Sequence, residues 1–156
     1  MLVIAGKLFL AIKGKEENVA ENIYESRGRL MTNAELVFFN ALKSALPVEH
    51  YHIHSKVRMA DLVEIKKGGD RKRWRSAFNK IDSKHVDFVL SNPSDSTIYA
   101  VVELDDKSHQ KASRKKSDEF KNSTFGSCGI PIIRIPVQAS YSADEIIGHV
   151  NQAFGR

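Results

Sequence analysis

VVELDDKSH, Val101 to His109, is the stretch on which the reading of this chain turns. It begins as a strand apolar enough to be covered on both faces and then, with no turn signal, sets Glu103, Asp105 and Asp106 within four residues. Unpaired charge beside a covered sheet is costly, so the partners of this strand must be found before its chemistry can be read. The run KHVDFVL (Lys84–Leu90) precedes it across the turn-forming NPSDS (Asn92–Ser96). If the two runs pair about a loop centred on Asp95, Asp87 falls opposite Glu103, and period-two alternation puts Glu103 and Asp105 on one face. Three carboxylates are then expected to converge among Val86, Phe88, Val102 and Leu104.

Working outward, KASRKKSDEFKNSTFGSCG (Lys111–Gly129) reads as a basic helix ended by Gly129, and GIPIIRIPV (Gly129–Val137) as a strand. A strand, a long helix and a second strand make a right-handed crossover with parallel neighbours, whereas the short turn before them makes an antiparallel hairpin. SADEIIGHVNQAF (Ser142–Phe154) is a last helix with a Ser142/Glu145 capping box. Upstream, TNAELVFFNALKSAL (Thr32–Leu46) repeats Leu36, Phe39, Leu42 and Leu46, with Val37 and Phe38, at helical spacing until Pro47 closes it. EHYHIHSKVR (Glu49–Arg58) alternates as a strand, MADLVEI (Met59–Ile65) extends it or turns into a short helix, and RWRSAFNKI (Arg73–Ile81) is a short helix after the basic, glycine-containing KKGGDRKR. The order predicts an α/β fold, a mixed central sheet flanked by helices on both faces.

With 156 residues and 42% hydrophobic content the chain suits one domain with a real core. The lone Cys128 excludes an internal disulfide or a multi-cysteine zinc site and points to a reducing, cytoplasmic setting. A formal charge of +5 leans toward a polyanionic partner. The apolar MLVIAGKLFLAIKGK (Met1–Lys15) is too short and too broken to span a bilayer and lacks the layout of a signal peptide. It reads as a short hairpin about Gly6-Lys7, and a protein partner or a membrane surface met through residues 1–12 is the sharper alternative. Lys15–Leu30 offers only Val19, Ile23 and Tyr24 for burial and reads as a marginal helix or linker. An amino-terminal segment over 1–30 is therefore expected to precede a domain over 31–156.

Converging carboxylates require positive charge. Magnesium or manganese is one source, because hard divalent cations take oxygen ligands and keep several waters. Such a centre neutralises developing charge on a phosphodiester and acidifies the attacking water. Pairing with arginine is the other, and Arg134 on GIPIIRIPV is well placed for it. Two basic runs flank the acidic strand in sequence, so Arg71, Lys72, Arg73, Arg75, Lys111, Arg114, Lys115 and Lys116 are expected to track phosphates of a nucleic acid, DNA in the first instance. Trp74 is available to stack on a base, although Phe78 one helical turn on reads it as a core or hinge residue. Glu35 completes a capping box with Thr32, which is a sufficient structural reason for its presence beside any role in a site. His50, His52 and His54 alternate as a solvated strand face. No organic cofactor is implied.

VDFVL, VVELDDKSH, the helix containing SDEFK and GIPIIRIPV together resemble a bacterial domain family of unknown function placed in the restriction-endonuclease-like, PD-(D/E)XK superfamily, close to the very-short-patch-repair-like nucleases. The likeness covers about Met31 to Val137. It implies a restriction-endonuclease-like fold and a metal-dependent nuclease. Asp87 would be the motif aspartate and Glu103 the motif glutamate, with Glu35 matching the acidic residue such proteins contribute from the preceding helix. Asp105 stands where the superfamily more often has lysine; it can join Glu35, Asp87 and Glu103 as a metal ligand but cannot supply the positive charge. Lys107, Lys121 and Arg134 are the available replacements. Lys121 is favoured, because Asp118 and Lys121 share a helix face that looks back over the strand end. His109 is a candidate general acid or base, or an orienter of a carboxylate, beside its plain reading as an exposed turn residue. A nucleic-acid-binding or partner-docking module of the same fold without turnover is the second expectation.

Overall fold

Four strands, β1 (His52–Arg58), β2 (His85–Ser91), β3 (Ile98–Asp105) and β4 (Ile132–Pro136), form one mixed sheet in the order β1-β2-β3-β4. The computed structural model describes residues 23–105 and 112–155, the side chains of 112–114 excepted. The amino-terminal hairpin and the surface assigned to residues 1–12 lie outside that range, as do Lys107, His109 and Lys111. The first three strands pair antiparallel and β4 joins β3 in parallel, so the hairpin and the crossover expected from loop lengths both form. In the β2–β3 loop, Asn92 and Asp95 fold their side chains onto the backbone N–H groups of Ser94 and Thr97. These Asx turns close the loop; beyond a register shift at Leu90/Ser91 the strands pair Phe88↔Val102 and Val89↔Val101, and the paired register ends one residue short of Asp87 and Glu103.

The helices are α1 (Asn33–Ala45), α2 (Arg71–Asp82), α3 (Ala112–Ser127) and α4 (Ala143–Ala153), with a single 3-10 turn at Met59–Asp61. Thr32 and Glu35 form a complete, reciprocal capping box on α1. Ser142 caps α4 by accepting from the Glu145 N–H. Gly129, at φ 70°, supplies the left-handed residue that turns the chain out of α3 into β4. α2 starts two residues earlier than the apolar pattern suggests, because Asp70 accepts hydrogen bonds from the N–H groups of Lys72 and Arg73 at 2.7 and 2.9 Å.

Two apolar clusters lie on the two faces of the sheet. One joins Phe38 and Leu42 of α1 and Ile146 and Val150 of α4 to Phe88, Leu90, Val102 and Ile135. The other joins Met59, Ile81 of α2 and Phe125 of α3 to Val86, Val89 and Val101. Helices therefore cover both faces. Ile23 and Tyr24, two of the three residues available for burial in the stretch before Met31, are 74% and 81% exposed, and residues 23–32 form neither helix nor strand. With no apolar periodicity to anchor it, that segment is a connector. No helix among the described residues is long and apolar enough to cross a membrane.

Candidate active site at the carboxylate strand

Glu103 is the most buried charged residue of the described chain, at 6% exposure. β3 carries it between Val102 and Leu104 in the middle of the sheet, opposite Arg134 on β4. Its partner comes from α3: the Lys121 ammonium lies 2.6 Å from Glu103 Oε1, and both side chains are largely covered. Burial, followed by the negative charge of Asp87, raises the Glu103 carboxyl above its ordinary range even though Lys121 and Arg134 pull the other way. The cation beside Glu103 does not fully offset its desolvation.

Asp87 points its Oδ2 at the Leu104 N–H, 3.0 Å away, which stitches β2 to β3 at the level of Glu103. Its other oxygen lies 3.5 Å from the ammonium of Lys56. Lys56 also pairs closely with Glu35, so one lysine on β1 bridges α1 and β2. Burial acts to raise the Glu35 carboxyl, but the hydrogen bonds from Lys56 and from Thr32 outweigh it and hold the group below its ordinary value. Burial would lower Lys56, and Glu35 and Asp87 together hold it above its ordinary value.

Lys56 has a backbone φ of 57°, a left-handed conformation that costs an ordinary L-residue about 1–2 kcal/mol. The pleat changes sense there. Ile53 packs in the α1 cluster and Val57 in the α2 cluster, although four residues apart on a regular strand they would share a face. The irregularity presents Lys56 to Glu35 and Asp87 at once. Sequence reasoning does not single out Lys56. Its placement depends on a left-handed residue within a strand, and neither a glycine nor an asparagine marks it.

Asp105 turns to Arg134, whose Nη1 donates to Oδ1 at 2.8 Å. The second arm of Arg134 reaches Asn122 at 3.0 Å and Asp118 at 3.7 Å on α3. The expected convergence is therefore divided: Glu35 is joined to Asp87 through Lys56, Glu103 is paired with Lys121 and feels the charge of Asp87, and Asp105 lies with Arg134. Among the described residues no three histidine, cysteine, aspartate or glutamate side chains come close enough to hold one ion. Lys121, the favoured source of positive charge, reaches Glu103. His54 donates to or accepts from the buried Ser91 hydroxyl at 2.8 Å while remaining on the exposed side of β1.

The family model described as a protein of unknown function, DUF2726, matches residues 27–153. This chain belongs to that family. No curated protein shows a significant match to the chain, and no solved structure does either. Around its central pairs this DUF2726 domain exposes a group of basic residues on α2 and α3. Arg71, Lys72, Arg73 and Arg75 are exposed on α2, and Lys115 is exposed on α3 with Lys116 beside it. A groove of about 670 Å³ runs between the two helices, with Lys66, Lys72, Arg73 and Lys80 at its rim and Ile81 and Phe120 in its floor. Lys121 follows Phe120 directly, so one helix lines the groove and meets the carboxylate strand.

Proposed function

We propose that this DUF2726 domain is a metal-dependent phosphodiesterase acting on nucleic acid, with a restriction-endonuclease-like arrangement of its mixed sheet. The observation that carries the reading is the Lys121 ammonium 2.6 Å from the buried Glu103, with Asp87 of the neighbouring strand hydrogen-bonded to the Leu104 N–H next to it. A lysine from α3 then provides the positive charge that a lysine at position 105 would otherwise bring. Asp87 and Glu103 are hard oxygen donors, and magnesium or manganese needs only one or two protein carboxylates when water and phosphate oxygens complete its shell. Burial and the neighbouring charge of Asp87, which together raise the Glu103 carboxyl, support this donor pair as a cation site. Bound there, the ion would supply Lewis acidity toward a phosphoryl oxygen and a more acidic water.

The remaining roles belong to the chain itself. Lys121, fixed by Glu103, stabilises charge that develops on the phosphate oxygens. Lys56 balances Glu35 and Asp87 and fixes the direction of the Asp87 carboxylate, which its bond from Leu104 N–H also constrains. Arg134 clamps Asp105 to α3 and holds the strand end against the helix that carries Lys121. The basic residues of α2 and α3 bring the phosphodiester backbone to this end of the sheet.

A second reading keeps nucleic-acid binding without turnover. What favours it is that each of Glu35, Asp87, Glu103 and Asp105 has a cationic neighbour already. Cleavage of linear, nicked and single-stranded substrates, measured with magnesium or manganese and with chelator, separates the two. Metal-dependent cleavage that Glu103→Gln abolishes supports the phosphodiesterase. Binding with no product in any metal supports the binding module.

A further inference from the structure

We infer that α2 is a stacking platform for unpaired bases, so that the nucleic acid is single-stranded where it meets this helix. The inference rests on the nucleic-acid reading above and narrows it. A surface helix ordinarily buries an apolar stripe. α2 buries Ile81 alone, and only Ala77, Phe78 and Asp82 are partly covered. Trp74 stays 46% exposed and lies flat on Phe78, with ring centroids 5.1 Å apart and planes 7° from parallel. Phe78 stacks on one face of the indole, and nearly half of the residue's surface stays open to solvent.

Arg71, Trp74, Arg75 and Phe78 recur at intervals of three and four and share one side of the helix. The opposite side carries Lys72, Arg73 and Lys80 along the groove. Guanidinium groups flanking an open indole match a polyanion that also offers flat rings. Single-stranded nucleic acid is that polyanion, because every base has a π face and, once unpaired, can leave its neighbours to stack on a side chain. In a duplex both faces of each interior base are already covered. An acidic protein surface would match the arginines and leave the indole without a counterpart.

Trp74 is the only tryptophan of the chain, so intrinsic fluorescence reads the platform directly. The test titrates the full chain with a short oligothymidylate and with a duplex of equal length, following fluorescence and affinity together. The single strand is expected to quench Trp74. Trp74→Ala should weaken single-strand binding about tenfold and duplex binding much less, and Trp74→Phe should recover most of the loss. Circular dichroism confirms that both variants fold. Binding of the oligonucleotide without quenching overturns the platform, and so does an equal loss on single strand and duplex in Trp74→Ala. Quenching and binding without cleavage in any metal overturn the phosphodiesterase and leave the platform standing. Metal-dependent cleavage without quenching overturns the platform alone, and failure to bind either nucleic acid overturns both.

Discussion

Lys56 and Lys121 carry the positive side of the candidate site, and each makes a prediction. Removing Lys121 strands a carboxylate at 6% exposure. Lys121→Ala should therefore cost about 3 kcal/mol of stability near neutral pH, read from urea unfolding, and less in acid where Glu103 takes up a proton. Its cleavage rate should fall about a hundredfold or more while metal affinity changes little, since no ligand is lost. For Lys56 the backbone decides. Lys56→Gly and Lys56→Ala both lose the pairs with Glu35 and Asp87, but glycine relieves φ 57° and should leave the protein about 1 kcal/mol more stable than alanine does, the reverse of the usual order inside a strand. Lys121 is legible in the sequence because its helix follows the acidic strand directly. Lys56 is not, because 26 residues separate β1 from β2 and no local pattern fixes their register.

At the scale of elements, pairs and surfaces behave as units. The Glu35 carboxyl is held below its ordinary value, so its contribution to stability is present above that value and is lost as pH falls through the lower, folded one. The Glu103 carboxyl is raised, so its contribution is present below the ordinary value of 4.5 and is lost as pH rises through the higher, folded one. In metal-free protein, Glu35→Gln should flatten the acid limb of the stability curve, and Glu103→Gln the fall just above it; denaturation midpoints across acidic pH check both. Glutamine at 35 can still accept from the Thr32 N–H, so that variant separates the ion pair from the cap. The basic helices make a different prediction. Reversing charge at Lys115 and Lys116 should lower the salt dependence of nucleic-acid binding by about 0.7 in logarithmic slope for each single-strand phosphate that is no longer neutralised. An unchanged slope removes α3 from the binding surface. α2 begins two residues ahead of its apolar pattern because Asp70 caps it, and that N-cap chemistry is visible in the sequence to a reading that looks beyond apolar spacing. Trp74, expected in a core or hinge, is exposed because α2 meets the body only near its carboxy-terminal end, a tertiary fact that the spacing of Trp74 and Phe78 does not contain.

For the molecule as a whole, the strand order and the layers follow from short-range signals: the Asx-rich loop, the long basic crossover and the caps at Thr32 and Ser142. The chemistry follows less completely, because alternation places carboxylates on a face but does not say which cation each one meets. Asp105 shares the strand with Glu103 and yet is taken by Arg134, whose reach spans β4 and α3. The central claim is that Asp87 and Glu103 form a site one cation short, where the alternative is a network already complete in itself. Thermal unfolding of the parent and of Glu103→Gln, each in chelator and in millimolar magnesium or manganese, decides between them. A site short of a cation predicts that Glu103→Gln is at least as stable as the parent in chelator, since it removes a buried and repelled charge. It also predicts that metal stabilises the parent, by about 2.7 kcal/mol at a hundredfold excess over the dissociation constant, and leaves the variant nearly unmoved. If Glu103→Gln instead melts well below the parent in chelator and metal shifts neither protein, the cluster is a closed ion-pair network and the phosphodiesterase loses its chemical basis.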